Sequence, residues 1–171
     1  ATFFDGECAV IATDIPAEEQ GTGMLFNMDG EVVGMISSSV WNDTGKNVVN
    51  AYGISDLKPI IELLINGKSV PYIGIYGTTV TEQLAEEHKM PSGIYVADVD
   101  PDSPAMAAGI QIGDIICEAS GEEIKDIAAY QNIVIGSSVG ETMEFVGKRL
   151  GSDGYVNIKF SVVTTEKEEV K

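Results

Sequence analysis

The chain has 171 residues, of which 44% are hydrophobic and 22% charged, and its formal net charge at pH 7 is −17. This length predicts one or two compact domains, and the apolar content is sufficient for a core, which argues against extensive disorder. The excess of acidic side chains would repel nucleic-acid phosphates and an anionic membrane surface, so we expect no nucleic-acid partner. Because the acidic residues are scattered, their expected role is solubility.

The sequence offers little support for membrane insertion, disulfides or metal binding. No stretch approaches the roughly 20 apolar residues that span a bilayer, and the N-terminus lacks a signal pattern. The chain opens on Ala1 without an initiator Met, so we expect a fragment or processed form, with any membrane anchor lying outside this chain. Cys8 and Cys117 lie far apart in apolar stretches, which predicts buried free thiols. Zinc-ligand spacing is absent, and we expect no metal and no cofactor.

The first part of the chain predicts β-structure that ends in a helix. The predicted elements are a strand over 9–12, an irregular segment over 14–23, a hairpin of strands 24–27 and 31–36, and a helix over 56–66. Asp29-Gly30 supplies the tight hairpin turn. Ser55 is predicted to cap the helix and Gly67 to end it. The turn-prone residues 66–69 mark the expected boundary between two units.

The second part of the chain predicts a small α+β unit. The predicted elements are strands over 72–76, 93–99, 112–119, 143–150 and 155–163, and helices over 82–88, 103–108 and 126–135. Thr81 precedes the first helix as its cap, and Pro104 fits the first turn of the second. The sequence Gly151-Ser152-Asp153-Gly154 predicts a hairpin between the last two strands. Several strands with a few helices favour a two-layer packing.

Four ordered motifs in this second part resemble a bacterial PDZ domain of the HtrA/Deg protease family. They are Tyr72-Ile73-Gly74-Ile75, Gly93-Ile94-Tyr95-Val96, residues 102–110 (Asp-Ser-Pro-Ala-Met-Ala-Ala-Gly-Ile) and Gly113-Asp114-Ile115-Ile116. Each motif alone is weak, but their order and spacing together are specific. The resemblance implies an α+β PDZ domain over residues 69–166, followed by a charged tail over 167–171.

The same resemblance implies a groove that captures an extended peptide or a C-terminus. The loop Tyr72-Ile73-Gly74-Ile75 would aim backbone N–H groups at a carboxylate, and the peptide would add as a strand alongside Ile75-Tyr76-Gly77. On the facing helix, Tyr130 and Val134 are expected to face the core, which leaves Ile127 and Gln131 as groove candidates. An equally weighted alternative has Ile127 packing inward. The candidate peptide-binding residues are therefore Tyr72, Ile73, Gly74, Ile75, Tyr76, Gly77, Ile127 and Gln131.

Residues 9–66 resemble the C-terminal part of the second barrel of a trypsin-like HtrA protease. The resemblance rests on the hairpin over 27–36 and on Tyr52-Gly53-Ile54-Ser55 with the helix that follows. It implies that residues 1–68 are the C-terminal part of a protease domain. The expected fold class is therefore mixed: a partial all-β trypsin-like barrel with a C-terminal helix, followed by an α+β PDZ domain.

The family's catalytic serine has no counterpart in this part of the chain. Its Gly-Asn-Ser-Gly-Gly-Pro-Leu motif corresponds to Glu19-Gln20-Gly21-Thr22-Gly23-Met24-Leu25, which places Gly21 or Thr22 at the nucleophile position. A Thr hydroxyl needs a base, and the single histidine, His88, is expected on the surface of a helix. In the family, the His and Asp of the catalytic triad lie in the N-terminal barrel, which this chain does not include. Truncation of an active enzyme would therefore explain the absence of this His and Asp, but not the absence of the serine. We therefore expect a pseudoprotease and no catalytic residue.

Three functions remain open at this point. The leading one is a peptide-binding PDZ module of an HtrA-like protein, whose partners are peptide or unfolded-protein C-termini. The alternative is a fragment of an active HtrA-type serine endopeptidase in protein quality control, so enzyme status stays undecided. A third is a structural role with an occluded groove. The resemblance also implies a bacterial, extracytoplasmic setting, possible membrane anchoring of the full-length protein, and possible oligomerisation through the rest of the protease domain.

Overall fold

The computed structural model describes residues 1–16, 21–40 and 48–167. The chain forms two compact units, one of Ala1 with Cys8–Asn66 and one of Thr2–Glu7 with the chain from Gly67 onward. The sequence places all of residues 1–68 in the first unit, and the structure differs at Thr2–Glu7. These six residues pack with the second unit because the Asp5 carboxylate is buried there, as described below. Each unit is described by itself.

Strands predominate throughout the described residues, with a few helices between them. As far as Asn66 the elements are β1 (Thr2–Phe3), β2 (Gly6–Glu7), β3 (Val10–Pro16), β4 (Gly23–Phe26), β5 (Val32–Ile36), a 3-10 turn (Ser38–Val40), β6 (Val48–Gly53) and α1 (Ile54–Ile65). From Gly67 they are β7 (Pro71–Tyr72), β8 (Ile75–Val80), α2 (Glu82–His88), β9 (Gly93–Val99), α3 (Pro104–Ala107), β10 (Ile115–Ala119), β11 (Glu122–Glu123), α4 (Ile127–Gly136), β12 (Thr142–Gly151), β13 (Gly154–Val163) and β14 (Thr165–Glu166).

The first unit is an antiparallel sheet with strand order β3, β6, β5, β4, followed by α1. The predicted hairpin is confirmed as β4 and β5. Two local predictions were wrong. Strand β3 continues to Pro16 instead of becoming irregular at Asp14, because β6 pairs with it as far as Pro16. Helix α1 follows β6 without a turn, so Gly53 is its N-cap residue and Ser55 lies inside the helix.

The second unit is built on a sheet with strand order β13, β12, β10, β9, β8, and β11 pairs with β10. Strand β8 ends this order, so no further strand of the sheet pairs with its outer edge among the described residues. The core consists mainly of aliphatic side chains from β8, β9, β10 and α4, together with Phe145 and Phe160. The Thr81 cap of α2 is confirmed, since its hydroxyl accepts a 3.3 Å hydrogen bond from the Leu84 N–H.

A buried ion pair joins the loop before β10 to strand β12. The Asp114 side chain is 1% exposed, and its two oxygens accept hydrogen bonds of 2.6 Å and 2.7 Å from Nε and Nη2 of Arg149. Asp114 also accepts the N–H of Gln111 at 2.9 Å. Asp114 of the Gly113-Asp114 motif thus links the loop to β12, and Arg149 provides the counter-charge that a buried carboxylate requires.

The two ends of the second unit meet, because β7 and β14 pair with register Thr165 to Tyr72 and Glu166 to Pro71. Lys167, the first residue of the predicted tail, lies 3.5 Å from Asp100 and 5.0 Å from the Tyr72 ring centroid. The Lys167 side chain is 53% exposed, and its ammonium is attracted by this carboxylate and this ring. The rest of the predicted tail, 168–171, lies outside the described residues.

Within the described ranges 1–16, 21–40 and 48–167, we find no helix with the length and apolar character needed to cross a membrane. Cys8 is buried and Cys117 half-buried, and both are free thiols, so the burial prediction is confirmed for Cys8 alone. Ile115, Ile116 and Ala119 are the fully buried residues of β10, whereas Cys117 between them is only partly covered.

Candidate functional site

The loop between β7 and β8 directs three backbone N–H groups toward one point. Ile73 and Ile75 are buried in the core and fix the loop on either side of Gly74. Gly74 has φ +95°, and a Cβ at this position would lie 2.4 Å from the Ser103 Cβ. Only glycine fits both the backbone conformation and the space. The three N–H groups therefore form a concave set of donors suited to an anion.

The group held at these donors is the side-chain carboxylate of Asp5. Oδ2 accepts the N–H groups of Ile73 and Gly74, each at 2.7 Å, and Oδ1 accepts the Ile75 N–H at 3.0 Å. The hydroxyl of Tyr130 donates to Oδ1 at 2.7 Å. Asp5 is only 7% exposed. Three loop N–H groups and the Tyr130 hydroxyl of α4 thus hold the carboxylate by four hydrogen bonds.

Burial controls the protonation of this site. Removal from water raises the pKa of the Asp5 carboxyl above its ordinary value, and the hydrogen bonds from Tyr130 and the loop N–H groups oppose that rise. Burial, followed by the nearby Asp5 charge, raises the pKa of the Tyr130 hydroxyl well above its ordinary value. Tyr130 therefore remains a hydrogen-bond donor, which is the form that a carboxylate requires.

Asp5 lies at the tip of a small hairpin made by β1 and β2. Thr2 pairs with Glu7 and Phe3 with Gly6, which leaves Phe4 and Asp5 as the turn. Asp5 has φ +63°, a left-handed conformation that aspartate tolerates better than most residues.

The hairpin contacts the edge of β8 through backbone and side chain. The Asp5 N–H donates to the Ile75 carbonyl at 2.6 Å, which is a strand-like contact at the outer edge of β8. The Phe4 ring meets the Tyr76 ring edge-on, with centroids 5.8 Å apart. The hairpin therefore uses both the carboxylate loop and the strand edge that follows it.

Helix α4 contacts the other side of the hairpin. Gln131 Oε1 accepts the Glu7 N–H at 3.0 Å, and a Cβ at Gly6 would lie 2.5 Å from the Gln131 Cδ. Ile127 instead packs in the core at 3% exposure, so the alternative in which it faces inward is the correct one. Its backbone N–H donates to the Thr79 hydroxyl, which ties α4 to β8.

The remaining candidate positions have structural surroundings of their own. The Tyr72 hydroxyl donates to Asp100 and Tyr72 pairs with Thr165 of β14, so Tyr72 supports the loop from outside. Gly77 faces β9, where a Cβ would lie 2.4 Å from the Ile94 Cγ2. Ile73, Gly74, Ile75, Tyr76 and Gln131 therefore meet at the hairpin, whereas Ile127 and Gly77 face the interior.

Sequence reasoning missed Asp5 and the hydroxyl of Tyr130. Phe4-Asp5-Gly6 contains an Asp-Gly pair, which is a hairpin signal, but two-residue strands give no alternation to recognise. Tyr130 was expected to face the core, and its ring does so against Phe145, with centroids 6.4 Å apart. The demand of a buried hydroxyl for a partner could have indicated a polar contact.

The nucleophile position carries no catalytic arrangement in the part of the chain that is described. Gly21 and Thr22 are exposed residues just before β4, and the Thr22 hydroxyl has no hydrogen-bond partner among the described residues. His88 is exposed at the end of α2, which confirms its predicted surface position. Residues 17–20 of the same loop, including Glu19 and Gln20, lie outside the described residues. No cluster of potential metal ligands occurs among the described side chains.

Removing the Tyr130 hydroxyl tests whether it supports this site. In Tyr130→Phe, Oδ1 of the buried Asp5 keeps its hydrogen bond from the Ile75 N–H but loses the charge-assisted hydrogen bond from the Tyr130 hydroxyl. We expect the free energy of unfolding to fall by about 1.5–3 kcal/mol. Urea unfolding of the full chain measures this change. Tyr95→Phe, at a half-buried position of β9, is the control and should change the free energy of unfolding by less than about 0.5 kcal/mol.

Comparison with known proteins places this geometry in context. Residues 95–149 match the PDZ domain family. The chain is 30% identical over 155 residues to a probable periplasmic serine endoprotease, DegP-like, of Halomonas elongata, covering 86% of this chain and 32% of that protein. It is also 30% identical over 174 residues to the serine protease Do-like HtrA of Bacillus subtilis, covering 94% and 38%.

A solved structure agrees with these relatives. The chain is similar to the crystal structure of the serine endoprotease from Yersinia pestis, with a TM-score of 0.51, 26% identity, and coverage of 85% of this chain and 47% of that one. The chain spans about a third of the length of the curated relatives that it matches.

Proposed function

We infer that this chain, which contains a PDZ domain and is related over most of its length to HtrA/DegP-type proteins, is a peptide-binding module. Its ligands are protein C-termini or extended segments, which bind by strand addition. The observation that carries this proposal is the convergence of the Ile73, Gly74 and Ile75 N–H groups on one carboxylate.

The groove has the parts that strand addition requires. Strand β8 ends the sheet, and its Ile75 carbonyl already accepts a hydrogen bond from outside the sheet. Backbone pairing there would provide affinity independent of sequence, and Gln131 on α4 would contact the ligand from the other side. The proposed peptide-binding residues are Ile73, Gly74, Ile75, Tyr76 and Gln131, with Tyr72 and Gly77 supporting the loop and strand.

For the rest of the chain we propose the following origin. Residues 8–68 correspond to the C-terminal part of a trypsin-like domain, and residues 69–166 to the PDZ domain. Gly21 or Thr22 stands where the resemblance implies a serine, which supports a pseudoprotease. Relatives named periplasmic support a bacterial, extracytoplasmic location. An active quality-control endopeptidase is the second candidate, favoured by one relative named a probable serine endoprotease and another named a serine protease.

Peptide binding to the full chain tests the proposed function. A library of peptides with apolar C-terminal residues is titrated by fluorescence polarisation, each as the free acid and as the C-terminal amide. We expect the amides to bind at least about tenfold more weakly, because the amide loses charge-assisted hydrogen bonds and presents N–H groups to N–H donors.

Two results would contradict this proposal. Equal binding of acids and amides would show that the loop is not a carboxylate site. Cleavage of unfolded casein that disappears in Thr22→Ala would favour the endopeptidase, and Thr142→Ala is its control because Thr142 is an exposed residue of strand β12.

A further inference from the structure

We propose that the hairpin Thr2–Glu7 is a built-in ligand of the peptide groove, so that external peptides bind by displacing it. This inference rests on the proposed function and adds its regulation. The hairpin presents an internal side-chain carboxylate, that of Asp5, in the place of a C-terminal carboxylate. The structural alternative considered from the sequence, an occluded groove, thereby becomes a reversible state.

The first step of the argument is that hairpin and peptide need the same donors. Ile73, Gly74 and Ile75 each direct their N–H to Asp5 at 2.7–3.0 Å. A backbone N–H has one hydrogen to donate, so a second carboxylate cannot be bound while Asp5 is present. Binding of the two is therefore mutually exclusive.

The second step is that the hairpin also covers the entrance to the strand edge. The Asp5 N–H occupies the Ile75 carbonyl, which is the first acceptor that an added strand would use. The Phe4 ring lies against Tyr76, the next residue of β8. Lys167 adds to this contact, with Nζ 4.9 Å from the Phe4 ring centroid. An incoming peptide would have to replace each of these contacts.

The third step concerns the fit of the hairpin against α4. Gly6 is buried and leaves room for Gln131, whose Oε1 accepts a hydrogen bond from the Glu7 N–H. Gln131 itself is 7% exposed although its side chain is polar. The hairpin thus satisfies a buried amide oxygen that an empty groove would leave to solvent. The hairpin therefore contacts the loop over 73–75, the edge of β8 and helix α4, which indicates a specific fit to the groove.

Tethering makes such a ligand effective even if its intrinsic affinity is low. A segment of the same chain has an effective concentration in the millimolar range when its linker permits binding. The apparent dissociation constant of an external peptide rises by the inverse of the fraction of free groove. If the hairpin occupies the groove nine times in ten, its removal strengthens peptide binding about tenfold.

Asp5→Asn in the full chain is the direct test. In either orientation the Asn amide turns an NH2 group toward at least one loop N–H, so docking is weakened with little change in size. We expect the strongest free-acid peptide to bind about tenfold more tightly than to the wild type. Asp29→Asn, at the exposed tip of the β4–β5 hairpin, is the matched control and should leave the affinity unchanged.

A measurement on the unaltered chain guards against a variant that fails to fold. Hydrogen exchange is followed at the Asp5 and Glu7 amides of the wild type with and without saturating free-acid peptide. We expect both amides to exchange faster when the peptide is bound, because the hairpin leaves the Ile75 carbonyl and Gln131.

The outcomes separate this inference from the proposed function. Peptides that bind wild type and Asp5→Asn with equal affinity, or Asp5 and Glu7 amides that stay protected with peptide bound, would overturn the hairpin inference while peptide binding stands. If no library peptide binds either protein, the proposed function fails instead. A tenfold gain with faster exchange at both amides would support both.

Discussion

Replacing Gly74 with alanine should weaken peptide binding and destabilise the second unit. At φ +95° an L-residue is strained, and the new Cβ would lie 2.4 Å from the Ser103 Cβ and 2.9 Å from the Tyr72 hydroxyl. Strain and overpacking together should lower the free energy of unfolding by about 2–4 kcal/mol. Because the loop must move, its N–H groups would no longer converge, and we expect peptide affinity to fall by at least about tenfold.

Gly109→Ala is the matched control for this variant. Gly109 has a similar φ of +87°, but nothing lies within 4 Å of a Cβ there. It should therefore lose only about 1 kcal/mol of stability, with no change in peptide affinity. Urea unfolding and fluorescence polarisation measure the two quantities. Equal losses of stability in the two variants would show that Ser103 does not constrain the loop.

Arg149→Met should cause the second large loss of stability. It leaves the buried Asp114 carboxylate with the Gln111 N–H and no counter-charge. The cost of breaking a buried pair is about 3–5 kcal/mol, and we expect about 3 kcal/mol because the Arg149 side chain is 32% exposed. The variant also loses the contact of the guanidinium with the Phe160 ring, 5.8 Å from its centroid.

The double variant Asp114→Asn/Arg149→Met shows whether the unpaired charge of Asp114 causes the loss of stability in Arg149→Met. Removing both charges eliminates the unpaired carboxylate, so part of the lost stability should return, and the double-mutant cycle gives the coupling. Lys159→Met, on the exposed face of β13, is the control and should change stability by less than about 0.5 kcal/mol. If the double variant is less stable than Arg149→Met, the pairing argument is wrong.

Much of the second unit could be predicted from sequence because its signals are local. The Thr81 cap, the hairpin turn at 151–154 and the helix over 126–135 each depend on neighbouring residues, and all three occur in the structure. The match of residues 95–149 to the PDZ domain family agrees with the motifs quoted from the sequence. The start of α1 was predicted less well, since its preceding strand continues into it directly.

The candidate site was predicted only in part, because its ligand group comes from a distant segment. The loop at Ile73–Ile75 is evident from Gly74 and its apolar neighbours. Asp5 lies 68 residues earlier than Ile73, and no local pattern connects the two. The face of α4 was ambiguous for a related reason: apolar Ile127 and polar Gln131 both become buried, one in the core and one against the hairpin.

The pairing of β7 with β14 determines when the loop over 73–75 can reach its final conformation during synthesis. Strand β7 leads into the loop, yet its partner Thr165–Glu166 is among the last described residues of the chain. Contacts so distant in sequence form late, since a long loop must close before they stabilise anything. On a ribosome, β7 gains this partner only after nearly the whole domain has left the exit tunnel. Most of the sheet of the second unit can therefore form on the ribosome before the groove is able to bind a peptide.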